Sequence, residues 1–587
     1  MSQYLVTTES TNKKIELVSS LDCVVNSMPY SDHTFIVDTD SIDEIASDGV
    51  AIEYVSTYAF DESDFDSDRS VTSSRALVGN HLSDFSEGDT QNWGLLRHTN
   101  NSNPYTVSSS NSRDSSLSAN YSYSYDGTGV DVVVVSGSYP VGIENHSEFK
   151  TNGVTRVRQL DWSNYVSDIH TSSEASDYTT FGTSSTTLHA LQVAAVTCSN
   201  TCGWATGANL YFLRRDRTTL LSTPYDAIRL WHQDKNNPSS ANYSGRPTVV
   251  VGAYTGLRAF PRLSTFSKLT FRGTEYTEIY NESVRNRSYE PGLGKSPLQN
   301  FGLTGEIGVG RGVTTALGTA VQAMQDAGVI HVISAGNSGM KLDSASGIDY
   351  NNVAHDYNLG TADNSAPNES GFYGNGDLYY HRGSALIGSN TIVVGNLDSY
   401  FGSQGNQYNT TDNKECIFPS SARGPRVDCY AAGTNLNVFD ETSFSYNGNT
   451  FNSNQSTLTG TSFAAPQIAG MAALVLEKHP TTTPEQMRLF FKHVAVSSEP
   501  LYDSGVPPLH DQNNAGDSRY FGAHTGRSLM HGHGKITYFD PIIPTDPTTL
   551  LSSNYTEPPN PSFESPASGS TLSTKDTESQ TIPEYEV

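Results

Sequence analysis

The sequence predicts an α/β fold, a mostly parallel central sheet covered by helices on both faces. Three observations carry this. Six apolar runs, "VDVVVV", "ANLYFL", "PTVVVGAY", "VIHVISAG", "NTIVVGNL" and "RVDCYAAG", have the unbroken hydrophobicity of strands buried on both faces. Five segments, "HALQVAAVTC", "PYDAIRLWHQDK", "TTALGTAVQAMQDAG", "SFAAPQIAGMAALVLEKH" and "PEQMRLFFKHVAV", read as helices. The two kinds alternate along the chain, as crossovers between parallel strands require.

The organisation follows in chain order. The start, "MSQYLVTTESTNKKIELV", has no basic stretch leading into an apolar one, so no secretory signal is expected. Residues 1–60 read as a small α+β unit: a strand in "DHTFIVDTD", a serine-capped helix in "SIDEIASDG" and a strand in "VAIEYVSTYAF". Residues 61–89 form an acidic, serine-rich linker. Its Asp64, Asp66 and Asp68 suggest a calcium loop, but Arg69 and Arg75 occupy the positions that need glycine and glutamate. Residues 90–540 read as one large α/β domain. Its polar inserts at 256–310 and 340–385 are expected to be surface loops beside a cleft. Residues 541–587 are rich in Pro, Ser and Thr and read as a flexible tail.

Composition narrows the function. The 587 residues carry 62 acidic and 35 basic side chains, a formal charge of −27. Such a field repels nucleic acid and anionic lipid and opposes both as partners. The longest apolar runs, 132–135 and 469–476, are far short of a membrane span. A soluble protein, cytoplasmic or virion-associated, is expected. Five cysteines make no disulfide framework. Cys198 and Cys202 are one helical turn apart without two further ligands at metal-binding spacing, so they read as core or free thiols.

The chemistry centres on "LTGTSFAAPQIAG", residues 458–470. Ser462 stands at the entry to an apolar helix, where backbone N–H groups and the positive dipole end can hold an oxyanion. The same residue also reads as an ordinary N-cap. The string resembles the nucleophile motif of the subtilisin-like serine proteases, G-T-S-x-A-x-P-x-V-A-G. The resemblance implies a subtilisin-like three-layer sandwich, with residues 1–60 in the place of an inhibitory prodomain. It also implies Ser462 as nucleophile. In "HVISAGNSG" it implies Asn337 as oxyanion donor, with Gly336 lining the substrate site. In "LHALQVAAVTCSNTCGWATGANLYFL" the register of the downstream strand places His189 on the catalytic histidine, although Ala190, Leu191 and Gln192 replace the family's Gly-Thr-His. The polar inserts resemble those of subtilase-like proteins of tailed marine phages.

One position departs from the family. Its first core strand ends in an aspartate that orients the histidine, but "VDVVVVSGS" places Ser136 there. Asp131 lies about 16 Å back along the strand, on the opposite face. Glu144, in the loop "YPVGIENHSEF", is the candidate substitute acid. The family's substrate-pairing segment is matched by "PTVVVGAYTG", which implies Tyr254 and Gly256 as substrate-binding residues; Tyr254 also reads as a packing side chain. Two readings follow. One is an attenuated endopeptidase acting on polypeptides without a cofactor, any structural calcium being unplaced. The other is an inactive subtilase-fold scaffold or peptide-binding protein, in a virus particle or other assembly.

Overall fold

Valine-rich runs form the central sheet because β-branched side chains suit a pleated surface covered on both sides. The computed structural model describes residues 2–8, 24–27, 34–39, 50–54, 92–99, 121–136, 143–165, 189–214, 223–254, 266–277, 315–337, 341–356, 377–397, 416–438 and 458–495. It adds a few shorter stretches, and single positions inside these ranges are excepted. Six strands run parallel: β1 (Asp131–Ser136), β2 (Asn209–Arg214), β3 (Thr248–Gly252), β4 (Ile330–Ser334), β5 (Ile392–Leu397) and β6 (Cys429–Ala432). They coincide with the six apolar runs and lie in the order β2-β1-β3-β4-β5-β6. Cys416–Ile417 pairs antiparallel with β5 at the far edge.

The helices are α1 (His189–Cys198), α2 (Thr223–Asn236), α3 (Thr315–Asp326), α4 (Thr461–Lys478) and α5 (Pro484–Ala495). From α2, Lys235 reaches Asp131, His232 reaches Thr248 and the Tyr225 ring meets His331, so α2 covers one face of the sheet, with α3 packed beside it. Helices α1 and α4 pack on each other and across β1 and β3–β6, closing the opposite face. The result is a three-layer sandwich around a core that includes Val132–Val135 and most of α1 and α4.

The order of connections locates a crevice. From β1 the chain steps to β2 on one side, then crosses over to β3 on the other and proceeds outward to β6. Loops leaving the C-terminal ends of β1 and β3 therefore diverge, and α/β proteins bind ligands at such a switch point. Asp131 lies at the other end of β1 and on the opposite face from Ser136, because side chains alternate along a strand. Its carboxylate is committed: Lys235 Nζ is 2.7 Å from Oδ2 and Asn209 Nδ2 donates to Oδ1 at 2.8 Å.

Two expectations are amended. The polar inserts do not remain loops. Thr274–Thr277, Phe266–Phe271, Val353–Asp356 and Asp377–Tyr379 pair in that order as an antiparallel sheet. Its hairpin turns through Arg272 and Gly273, with φ of 50° and 80°, the backbone of a type I′ turn. Arg272 is held there by Asp349, 2.7 Å from Nε, and Lys341 Nζ bridges Asp349 and Asp343 at 2.6 and 3.1 Å. Pairing between distant segments leaves no mark on local composition, so the polar residues concealed it. At the amino terminus, Ser2–Thr8 and Val24–Ser27 join the expected strands Thr34–Thr39 and Val50–Tyr54 in an antiparallel sheet ordered 24–27, 34–39, 2–8, 50–54. The helix expected over 41–49 and the linker with Asp64, Asp66 and Asp68 lie outside the described residues. So does the tail, except for Asp546 and Pro547.

Three of the buried histidines have their basicity lowered by the fold. His331, with Nδ1 3.1 Å from Thr391 Oγ1, is pushed down to about 3 by burial. His232 and His381 are pushed down to about 4, chiefly by burial. The unfolded chain protonates these rings near ~6.5, so their contribution to stability is complete above that pH and is lost as pH falls through the folded-state values. Urea midpoints are therefore expected to decline from about pH 6.5 toward 4, and His331→Gln should flatten that slope.

Candidate active site

The site lies where three parallel strands end side by side. Val135, Gly252 and Ile333 are neighbours across β1, β3 and β4, so Ser136, Ala253 and Ser334 reach the edge at one level. Ser136 is the last residue of β1 and is buried. Two helices begin at this edge. His189 is the first residue of α1 and Ser462 the second of α4. The His189 ring lies 5.7 Å, centroid to centroid, from that of Phe463, the residue after Ser462. Both helix N-termini thus meet at one place, and both dipoles favour negative charge there.

Ser462 is not an N-cap. Gly460 holds that position, with no side-chain capping bond. The Ser462 hydroxyl instead donates to the Ala253 carbonyl at 3.0 Å, across 209 residues of sequence. A glycine suits position 460 because φ is +152° and an added Cβ would lie 3.2 Å from Asn337 Nδ2. Helix α4 starts at Thr461, so Pro466 is past the first turn, and its missing N–H leaves the Ser462 carbonyl without the usual i+4 donor.

Asn337 follows β4 after Gly336, whose φ of 106° is a glycine conformation. Its Oδ1 accepts two hydrogen bonds from Thr461, from the backbone N and from Oγ1, each 2.9 Å. That assigns the amide: Oδ1 faces the helix terminus and Nδ2 lies beside Gly460. Thr461 Oγ1 also accepts from Gly336 N at 3.1 Å, and Ala422 N donates to Gly336 O at 2.7 Å. An amide held this way can meet a developing oxyanion without first reorganising. The sequence contained Thr461 within its motif, but only the fold shows that it aims Asn337.

The remaining candidates fall as follows. Tyr254 is buried and its hydroxyl lies 2.5 Å from that of Tyr225, at the start of α2. Gly256 lies outside the described residues. Glu144 sits in the short turn Ile143–Asn145, where Asn145 Nδ2 donates to Oε1 at 3.2 Å. The same loop docks at the C-terminal end of α1, through Glu148 Oε2 on Thr201 N at 2.9 Å and Asn200 N on Glu148 O at 2.9 Å. His189 is at the other end of that helix, about 14 Å away at the usual rise per residue. Among the described residues no group of three or more His, Cys, Asp or Glu is arranged to hold a metal. Cys198, Cys202 and Cys429 are buried.

Comparison with known proteins adds to this geometry. Residues 128–523 match the profile described as "Subtilase family". The "Thermostable alkaline protease" of Halalkalibacterium halodurans is 36% identical over 88 residues, 15% of this chain and 22% of that protein. "Subtilisin BL" of Lederbergia lenta is 37% identical over 98 residues, 16% of this chain and 33% of that protein. The chain therefore spans a third or less of these curated relatives. A solved structure of the epidermin leader peptide processing serine protease of Staphylococcus aureus is 14% identical, covering 94% of this chain and 99% of that one with a TM-score of 0.44.

The Thr461 hydroxyl gives a direct test of the assembled corner. Thr461→Val keeps the shape but leaves the buried Gly336 N–H without its acceptor, a loss of about 1–3 kcal/mol. It should appear as a lower urea midpoint with an unchanged denaturant slope.

Proposed function

The chain belongs to the subtilase family, and from that premise we propose that it is a serine endopeptidase that cleaves polypeptides through an acyl-enzyme. Ser462 Oγ attacks the scissile carbonyl carbon while His189 takes the hydroxyl proton. Asn337 Nδ2 and the N-terminal amides of α4 receive the oxyanion. As the tetrahedral adduct collapses, the C–N bond breaks and His189 returns the proton to the leaving amine. Water then repeats the sequence on the ester and frees Ser462. The observation that carries this reading is the orientation of Asn337, whose Oδ1 is tied to Thr461, the residue before Ser462, so that Nδ2 lies beside Gly460 at the entry to α4.

Ser136 makes the enzyme an attenuated one. A hydroxyl in the aspartate's place supplies no negative charge to stabilise the imidazolium. In subtilisin, removal of the aspartate alone lowers kcat about 3 × 10⁴-fold, whereas loss of serine or histidine costs about 2 × 10⁶. A Ser462–His189 pair therefore retains catalysis, and cleavage of the chain's own linker, where effective concentration is high, is its most accessible reaction.

A second reading, an inactive scaffold that binds protein partners, is favoured by the same Ser136 and by the commitment of the Ser462 proton to the Ala253 carbonyl. Labelling with a fluorophosphonate probe decides between them. The enzyme reading expects slow labelling that disappears in Ser462→Ala and rises in Ser136→Asp by about 10³-fold or more. A folded wild-type chain that takes no label, with no gain in Ser136→Asp, establishes the scaffold.

A further inference from the structure

A polar knot lies buried beneath the two helices of the active centre, outside the reacting groups. At its centre is Gln467, one turn beyond Ser462 and fully buried. Its Oε1 accepts from Trp204 Nε1 at 2.6 Å and from Asn92 Nδ2 at 3.0 Å. Its Nε2 donates to Asn92 Oδ1 and to the Ala432 carbonyl, the latter at 3.0 Å. Asn92 Nδ2 also donates to the Cys202 carbonyl at 2.7 Å. Every hydrogen-bonding capacity of the Gln467 amide is used.

The knot joins the segments that carry the site. Cys202 and Trp204 belong to the loop that directly follows α1, the helix begun by His189. Gln467 belongs to α4, the helix that carries Ser462. Asn92 precedes the short helix Gly94–Thr99, which is itself docked: Trp93 Nε1 donates to Thr434 O at 2.7 Å, and His98 Nε2 accepts from Ala432 N at 3.0 Å. Gly94 admits the close approach, since a Cβ there would lie 2.6 Å from Gln467 Nε2.

Elsewhere the two packed helices are built largely of small or apolar buried side chains, such as Ala194 and Ala195 of α1 and Ala465 and Ala469 of α4. Such contacts are non-directional and tolerate sliding. A satisfied amide network in a low-dielectric interior is directional and admits one arrangement. We infer that Asn92 and Gln467 are positioning residues. Their reciprocal amide pair sets how the Ser462 helix sits against the His189 helix, and it makes the segment beginning at Asn92 an integral part of the active centre. The inference rests on the reading of Ser462 and His189 as nucleophile and base.

The test is the rate constant of fluorophosphonate labelling, as a function of probe concentration and pH, on full-length wild type, Asn92→Ala, Gln467→Met and the double variant. A displacement near 1 Å at the reacting atoms can slow a reaction about a hundredfold, so each single variant is expected to label about tenfold to a hundredfold more slowly at saturating probe. The pH midpoint of labelling should move with it, because the relation of His189 to Ser462 has changed. The double variant should be no slower than the slower single, as for two halves of one unit. Folded variants with the wild-type rate and pH profile overturn the inference, as do effects that simply add. Should Gln467→Met not fold, Asn92→Ala, which leaves α4 unaltered, carries the comparison alone. Failure of both to fold assigns the knot to stability and overturns a positioning role. A wild-type chain that takes no label rejects the nucleophile reading, and the positioning role falls with it.

Discussion

Helix α4 is buried from Thr461 to Leu476, and the demands of such a helix organise the molecule. It touches five strands and α1, so its side chains are held to small volumes wherever a neighbour comes close. Gly470 is the extreme case, where a Cβ would lie 2.5 Å from Trp204 Cβ. Each polar group on the helix needs a partner in the interior, because an unpaired one costs stability. Thr461 finds Asn337 and Gly336, Ser462 finds the Ala253 carbonyl, and Gln467 finds Asn92, Trp204 and Ala432. Those obligations pull the ends of β3 and β4, the loop after α1 and the 92–99 segment to one helix.

The distribution of buried charge complements this. At the N-terminal end of the sheet Asp131 is neutralised by Lys235, and at the edge near β6 Asp428 pairs with Arg426 and Arg488, at 2.6 and 3.0 Å. Removing one member of such a pair would leave an uncompensated charge in the interior, so these ends are held rigid. The opposite edge, where β1, β3 and β4 terminate, instead gathers hydroxyls, an amide and two helix N-termini. It presents partial positive charge, suited to an anion that forms transiently. Ser136, the last residue of β1, is buried at this edge and brings no charge to it.

Much of this was legible in the sequence, and the reasons are local. Buried parallel strands need continuous apolar runs, and all six runs became the six parallel strands. An apolar face repeating every 3.6 residues marks α2, α3 and α5, whereas α1 and α4, buried all round, show as apolar runs too long for a strand. The helix entry at Ser462 and the turn at Asn337 were readable for the same reason, whereas their chemical roles were implied only by the resemblance of the surrounding motifs. What the sequence left open, or read otherwise, depended on partners far along the chain. The polar inserts pair with each other as a sheet, Ser462 proves not to cap its own helix, and Asn92 meets Gln467 across 375 positions. Local sequence determines which backbone each segment prefers, through propensity and burial pattern. The choice of partner for each buried polar atom is made only when the layers close, because it depends on which groups lose their water together.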